Sequence, residues 1–122
     1  MKKRILIVED EPHIRENYVK LFSKGDNELF DVLEAPDAVK ATNLLIREKV
    51  DLVLLDIKIP EINGQKIFEV IREYDPTLKV IVVSVYPEER QKELIPGAHD
   101  YYDKSQSLLK LVEKVVEVLF LH

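Results

Sequence analysis

The chain has 122 residues, which fits one domain of ordinary size, and 46% of them are hydrophobic, too many for a disordered tail. It contains no cysteine, which excludes disulfides, thiolate zinc sites and cysteine nucleophiles. A net charge of −5, with no basic run denser than Lys2-Lys3-Arg4, argues against direct nucleic-acid binding.

The start has a basic head, but its apolar stretch is only Ile5-Leu6-Ile7-Val8 before Glu9 and Asp10. A signal peptide needs a longer apolar region. No segment approaches the length of a membrane span. A cytoplasmic protein without a membrane partner is expected.

Arg4 to Val8 reads as a buried strand. Pro12 suits a first helical position, and Ile14, Tyr18, Leu21 and Phe22 follow at helical spacing. Lys24-Gly25-Asp26-Asn27 breaks the chain. Leu29 to Ala35 reads as a second strand. Asp37 can cap a helix whose inner face is Ala38, Ala41 and Leu45. Leu52-Val53-Leu54-Leu55 is apolar at every position, the mark of a parallel strand covered on both faces.

Pro60 and Gly64 punctuate the loop that follows. Ile67, Ile71 and Tyr74 give a third helix, which Asp75-Pro76 ends. Val80-Ile81-Val82-Val83 is a fourth apolar strand. Pro87, Glu88 and Glu89 look like the first turn of a short fourth helix, with two acids complementing its dipole. Pro96-Gly97 stops that helix. Ala98 to Asp103 can be a fifth strand. Ser105 or Ser107 can cap a last helix whose inner face is Leu108, Leu111, Val112, Val115 and Leu119.

The result is five βα units over residues 1–122, without repeats or an interdomain linker. Alternating strands and helices imply an α/β fold with a doubly wound parallel sheet and helices on both faces. One order for five such strands is 2-1-3-4-5, a general property of flavodoxin-like folds and not something these residues dictate.

Ligands of open α/β sheets bind beyond the carboxyl ends of the strands. Here those ends carry Glu9 and Asp10, then Asp56, then Ser84, and Lys104 follows the last strand. In that order they share one edge. Taken singly, each has an ordinary explanation as a cap, a turn residue, a core hydroxyl or a surface lysine. Together they supply complementary chemistry from four strand ends. Two like charges at ~4 Å cost about 4 kcal/mol at an effective dielectric near 20, which a divalent cation relieves. Oxygen ligands with room for water favour Mg²⁺. A metal and a lysine would let a carboxylate attack a phosphoryl group and become an acyl phosphate, with Ser84 donating to a phosphoryl oxygen.

At these residues the chain resembles a receiver domain of the bacterial two-component response regulators. The matching segments are Ile5 to Pro12, Asp51 to Asp56, Ile59 to Gly64, Val82-Val83-Ser84, Gly97-Ala98 and Tyr101 to Lys104. Each is weak alone, and their order and spacing are specific. The resemblance implies that Asp56 is the phosphoacceptor and Asp10 a direct Mg²⁺ ligand. It implies that Glu9 holds the metal through water and that the Lys58 backbone carbonyl is a further ligand. Ser84 is the implied switch hydroxyl, Lys104 the lysine that pairs with the phosphoryl group, and Tyr101 the aromatic switch. The implied activity is self-catalysed phosphotransfer from a histidine kinase or phosphotransfer protein, with slow autodephosphorylation. The implied output is a changed surface on the fourth helix, fifth strand and fifth helix, read by an effector domain or protein or by a second copy in a phosphorylation-dependent homodimer.

Three departures from the family pattern stand out. Ser105 replaces the usual proline, so the loop that aims Lys104 should differ. The interval from Ser84 to Lys104 is short, so the fourth helix should be short too. Val85 stands where a small residue is common, and with Lys58 it should crowd the acyl phosphate and slow its hydrolysis. The end, Val118 to His122, is apolar and has two readings: packing on the sheet, or a partner surface. Other functions rank lower. A non-phosphorylated binding module would favour loss of the acids or Lys104. A dehalogenase-type phosphatase wants an acid where Lys58 stands. A flavin protein wants a Gly-rich loop after the first strand.

Overall fold

The computed structural model describes residues 2–23, 29–58 and 63–121. Five strands and five helices alternate: β1 (Lys3–Val8), α1 (Pro12–Ser23), β2 (Phe30–Ala35), α2 (Ala38–Arg47), β3 (Leu52–Asp56), α3 (Gly64–Tyr74), β4 (Lys79–Ser84), α4 (Glu88–Leu94), β5 (Asp100–Asp103) and α5 (Leu108–Phe120). All pairings are parallel, in the order β2-β1-β3-β4-β5. The Lys24 to Asn27 break and the Pro60 turn lie outside the described residues.

β3 is buried at every position, because helices cover both faces of the sheet. On one side Leu6, Val8, Val53, Leu55, Val80 and Val82 pack under α2, α3 and α4. On the other, Ile5, Ile7, Leu52, Leu54, Ile81 and Val83 pack under α1 and α5. At the amino edge of the sheet, Arg4 N–H donates to Asp51 Oδ2 at 2.8 Å, and Asp51 N–H donates to the Arg4 carbonyl at 2.9 Å. That reciprocal clamp closes the central strands away from their polar ends. No helix among the described residues is long and apolar enough to cross a membrane.

The helix boundaries follow local chemistry. Pro12 opens α1. Asp37 caps α2, Asn63 caps α3 and Ser107, not Ser105, caps α5, each side chain accepting from the backbone N–H three residues on. Glu88 and Glu89 do occupy the first turn of α4.

Several side chains face differently from the expected pattern. α2 buries Leu44, while Leu45 is only partly covered. α3 buries Phe68, and Tyr74 is 63% exposed. Leu108 opens α5 half out in solvent. Gly64 is the first residue of α3 rather than loop punctuation. A Cβ there would stand 2.3 Å from the Asp56 carbonyl oxygen and 2.8 Å from Ile57 Cα. Only glycine lets α3 start this close to the end of β3. At the chain end Leu119 is buried and Phe120 meets the Phe30 ring at 6.2 Å, whereas Leu121 is exposed.

Candidate functional site

The polar strand ends meet at the carboxyl edge of the sheet. Val8 pairs with Leu55, so Glu9 stands level with Asp56 one residue on. Asp56 pairs with Val83, and Ser84 with Asp103. One carboxylate oxygen from each of Glu9, Asp10 and Asp56 lies within 4.8 Å of the others. Glu9 and Asp56 are buried, and Asp10 is exposed at the mouth.

Lys104 enters from the end of β5. Its Nζ lies 2.8 Å from Glu9 Oε1 and 3.4 Å from Asp56 Oδ2. Burial pushes the Glu9 carboxyl up to about 7, with the Asp56 charge adding to the effect and the bond to Lys104 opposing it. Burial by itself would lower the Lys104 ammonium, but its bond to Glu9 and the Asp56 charge outweigh that and raise it. The lysine therefore stays charged at neutral pH.

The backbone around these groups is tied down. Lys104 N–H donates to the Ser84 carbonyl at 2.8 Å. Ser84 Oγ accepts from Tyr86 N–H at 3.2 Å, and Asp56 Oδ1 accepts from Lys58 N–H at 3.3 Å. After Lys104, the Ser105 N–H and hydroxyl both donate to Asp103 Oδ1, each at 2.8 Å. This Asx turn shapes the loop where the family pattern has proline.

Beside the carboxylates lies a cleft of about 500 Å³, lined by Asp10, Lys58, Asn63, Gln65 and Tyr86 among others. The Lys58 ammonium sits over the Tyr86 ring at 5.1 Å, while Val85 is 62% exposed. The group that meets Lys58 across the cleft is thus Tyr86. Tyr101 is buried, its hydroxyl donating to the Ile95 carbonyl at 2.6 Å and accepting from Ala98 N–H at 3.2 Å.

Two supporting residues escaped the reading of strand ends. The Glu11 carboxylate accepts from Ile14 N–H at 2.8 Å and from His13 N–H at 3.2 Å, capping α1 beside the site. Those bonds hold its carboxyl below the usual range. Arg15 donates to the Glu9 carbonyl at 3.0 Å and pairs with Glu34, which anchors the turn that carries Glu9 and Asp10. An acid directly before Pro12 was a legible signal for the first, whereas nothing in the spacing marked the second.

The residues fit a hard divalent cation. Three carboxylates converge, one is open to water, and the buried Glu9 Oε1 lies against the Lys104 ammonium. Oxygen donors of this kind suit an ion that keeps part of its hydration shell.

Comparison with known proteins gives the same picture. The family described as "Response regulator receiver domain" matches residues 5–116. Sporulation initiation phosphotransferase F of Bacillus subtilis is 31% identical, over 98% of this chain and 95% of its own length. Response regulator GtcR of Aneurinibacillus migulanus is 32% identical over 94% of this chain, but that match takes up only 47% of the longer protein. The crystal structure of the Thermotoga maritima response regulator TrrA in complex with Mg(2+)-BeF superposes with a TM-score of 0.85. It is 32% identical, over 96% of this chain and 99% of that one.

Proposed function

The chain belongs to the response regulator receiver domain family, and from that premise we propose that Asp56 is the residue that takes the phosphoryl group. As a receiver domain the chain is a phosphoacceptor, and its donors are histidine kinases or phosphotransfer proteins.

In this reading an Asp56 carboxylate oxygen attacks the donor's phosphorus on the side opposite the leaving group. A carboxylate oxygen–phosphorus bond forms. The bond from phosphorus to the donor's histidine nitrogen breaks, and its electron pair leaves with the imidazole. Asp10, Asp56 and the Lys58 backbone carbonyl would hold Mg²⁺ directly, and Glu9 would hold it through water. The chemistry Mg²⁺ supplies when bound is neutralisation of the phosphoryl oxygens, which lets one anion approach another.

The Lys104 ammonium, already 3.4 Å from Asp56, moves its shorter bond from Glu9 to a phosphoryl oxygen. Ser84 accepts from Tyr86 N–H and so keeps its own proton to donate to a second phosphoryl oxygen. Lys58 and Tyr86 narrow the cleft and limit the access of water to the acyl phosphate. The Ser84 shift, with Tyr101, alters the surface formed by α4, β5 and α5. An effector domain or protein, or a second copy of the chain, then reads it in the cytoplasm. Residues 1–122 act as one receiver domain.

The observation that carries this reading is the meeting of Glu9, Asp10, Asp56 and Lys104 at one strand edge. The test is intact mass after incubation with acetyl phosphate and Mg²⁺. One phosphoryl group should be gained, and the gain should vanish with EDTA and in Asp56→Asn. Phosphorylation of Asp56→Asn to the wild-type extent would overturn the assignment.

A further inference from the structure

Gln91 is the one residue of α4 that is fully buried, and its surroundings are polar. Its Nε2 donates to the Tyr86 carbonyl at 2.8 Å and to the Tyr102 carbonyl at 2.9 Å. Both of the amide's protons are thereby used. Its Oε1 is buried and has no hydrogen-bond partner among the described residues.

The two carbonyls are informative in their positions. Tyr86 lies two residues after Ser84, in the loop whose N–H holds the Ser84 hydroxyl. Tyr102 lies two residues before Lys104, on β5, the edge strand of the sheet. One side-chain amide thus grips both backbone segments that deliver groups to the phosphoryl site, and it grips them from α4.

A leucine or methionine would fill this position without stranding a buried oxygen. The side chain's use is therefore its pair of donors and not its volume. α4 and its C-cap have other ties: Lys114 bridges Glu88 and Asp100, the Lys92 ammonium lies over the Tyr101 ring at 5.9 Å, and the Tyr101 hydroxyl donates to the Ile95 carbonyl. Among these, Gln91 is the one that reaches back to the Ser84 loop.

We propose that Gln91 is a positioning residue that sets the Ser84 loop and the Lys104 strand end relative to each other, and couples both to α4. This rests on the reading of Asp56 as phosphoacceptor. Movement of the Ser84 loop toward a phosphoryl group carries the Tyr86 carbonyl with it. The amide then must follow, which moves α4, or release that carbonyl.

The test compares wild type with Gln91→Met, which keeps length and removes both donors. Mg²⁺ affinity, by calorimetry, should be unchanged, because the carboxylates stand on β1 and β3. The rate of Asp56 phosphorylation by acetyl phosphate should fall on the order of tenfold to a hundredfold, the scale set by misplacing a reacting group. A merely structural role would not separate these two readouts. Should Gln91→Met not fold, the wild-type chain still decides the matter by NMR. The Gln91 side-chain N–H signals should be protected from exchange and should shift on phosphorylation.

Wild-type phosphorylation kinetics in a folded Gln91→Met, or amide signals unmoved by phosphorylation, would overturn the proposal alone. A wild-type chain that gains no phosphoryl group would overturn the reading of Asp56 and this proposal with it.

Discussion

The Lys104 ammonium lies nearer to Glu9, at 2.8 Å, than to Asp56, at 3.4 Å. It is held between a carboxylate that shares its charge and the one that would carry the phosphoryl group. Lys104→Ala should therefore act twice. The phosphorylation rate should fall on the order of a hundredfold, as when one preorganised charge contact is removed. The Glu9 carboxyl should also rise further, because its bond to Lys104 opposes the rise. Phosphorylation kinetics and NMR titration of the glutamate side chains check the two parts separately.

Burial raises Glu9 from the ordinary 4.5 to about 7, so the folded chain holds its proton more tightly than the unfolded chain does. Stability from this group is full below the unfolded value and is lost as pH rises through the folded one. In EDTA, the urea midpoint of wild type should fall from about pH 5 to about pH 8 relative to that of Glu9→Gln. In the proposed reading Mg²⁺ is held with Glu9 ionised, so its affinity should rise across the same window. At a hundredfold excess over Kd, the ion should add about 2.7 kcal/mol to the stability.

Gly64, which opens α3 at the site, and Gly97, which precedes β5 at the opposite edge of the sheet, should respond differently to alanine. At Gly64 a Cβ meets the Asp56 and Ile57 backbone, so Gly64→Ala should destabilise by about 3 kcal/mol, the upper end for overpacking. It should also slow phosphorylation, since the displaced atoms belong to Asp56. At Gly97 nothing lies within 4 Å, but φ is +92°, so Gly97→Ala should lose only about 1–2 kcal/mol and leave phosphorylation intact. Urea unfolding beside intact-mass kinetics separates the two.

Ser105→Pro would bring the loop closer to the common family sequence, yet it should weaken this protein. Proline removes both donors to Asp103 Oδ1, and the expected loss is about 1–3 kcal/mol. A melting point equal to or above that of wild type would show that the Asx turn adds nothing.

The strands and the residues at their carboxyl ends were legible because buried parallel strands are written as unbroken apolar runs. A run such as Leu52 to Leu55 has to be followed by whatever polar group the edge presents. Helix faces were less legible. Leu44 and Leu45 are equally apolar, and only the roll of α2 on the sheet chooses Leu44. Tyr74 fits the apolar spacing of α3 but falls at its last residue, beyond the sheet. Gly64 read as a turn because glycine is the usual turn residue. Its actual reason, close approach to Asp56, is a distance between segments that no local pattern records. Gln91 gave no signal at all: a polar residue in a charged helix reads as surface. It is buried because α4 sets that position against β5, where the Tyr102 carbonyl takes one of its protons.

The two edges of the sheet have opposite occupations. The carboxyl edge carries every group assigned to the chemistry, and the amino edge carries the Arg4–Asp51 clamp. The molecule therefore has a working end and a handle. A fluorescent reporter or a tether to a solid support joined near Lys49, which is exposed beside that clamp, would leave Asp56 and its cleft open to a donor. The same cargo near Tyr86 would obstruct them, which makes the amino edge the place from which to build a biosensor on this scaffold.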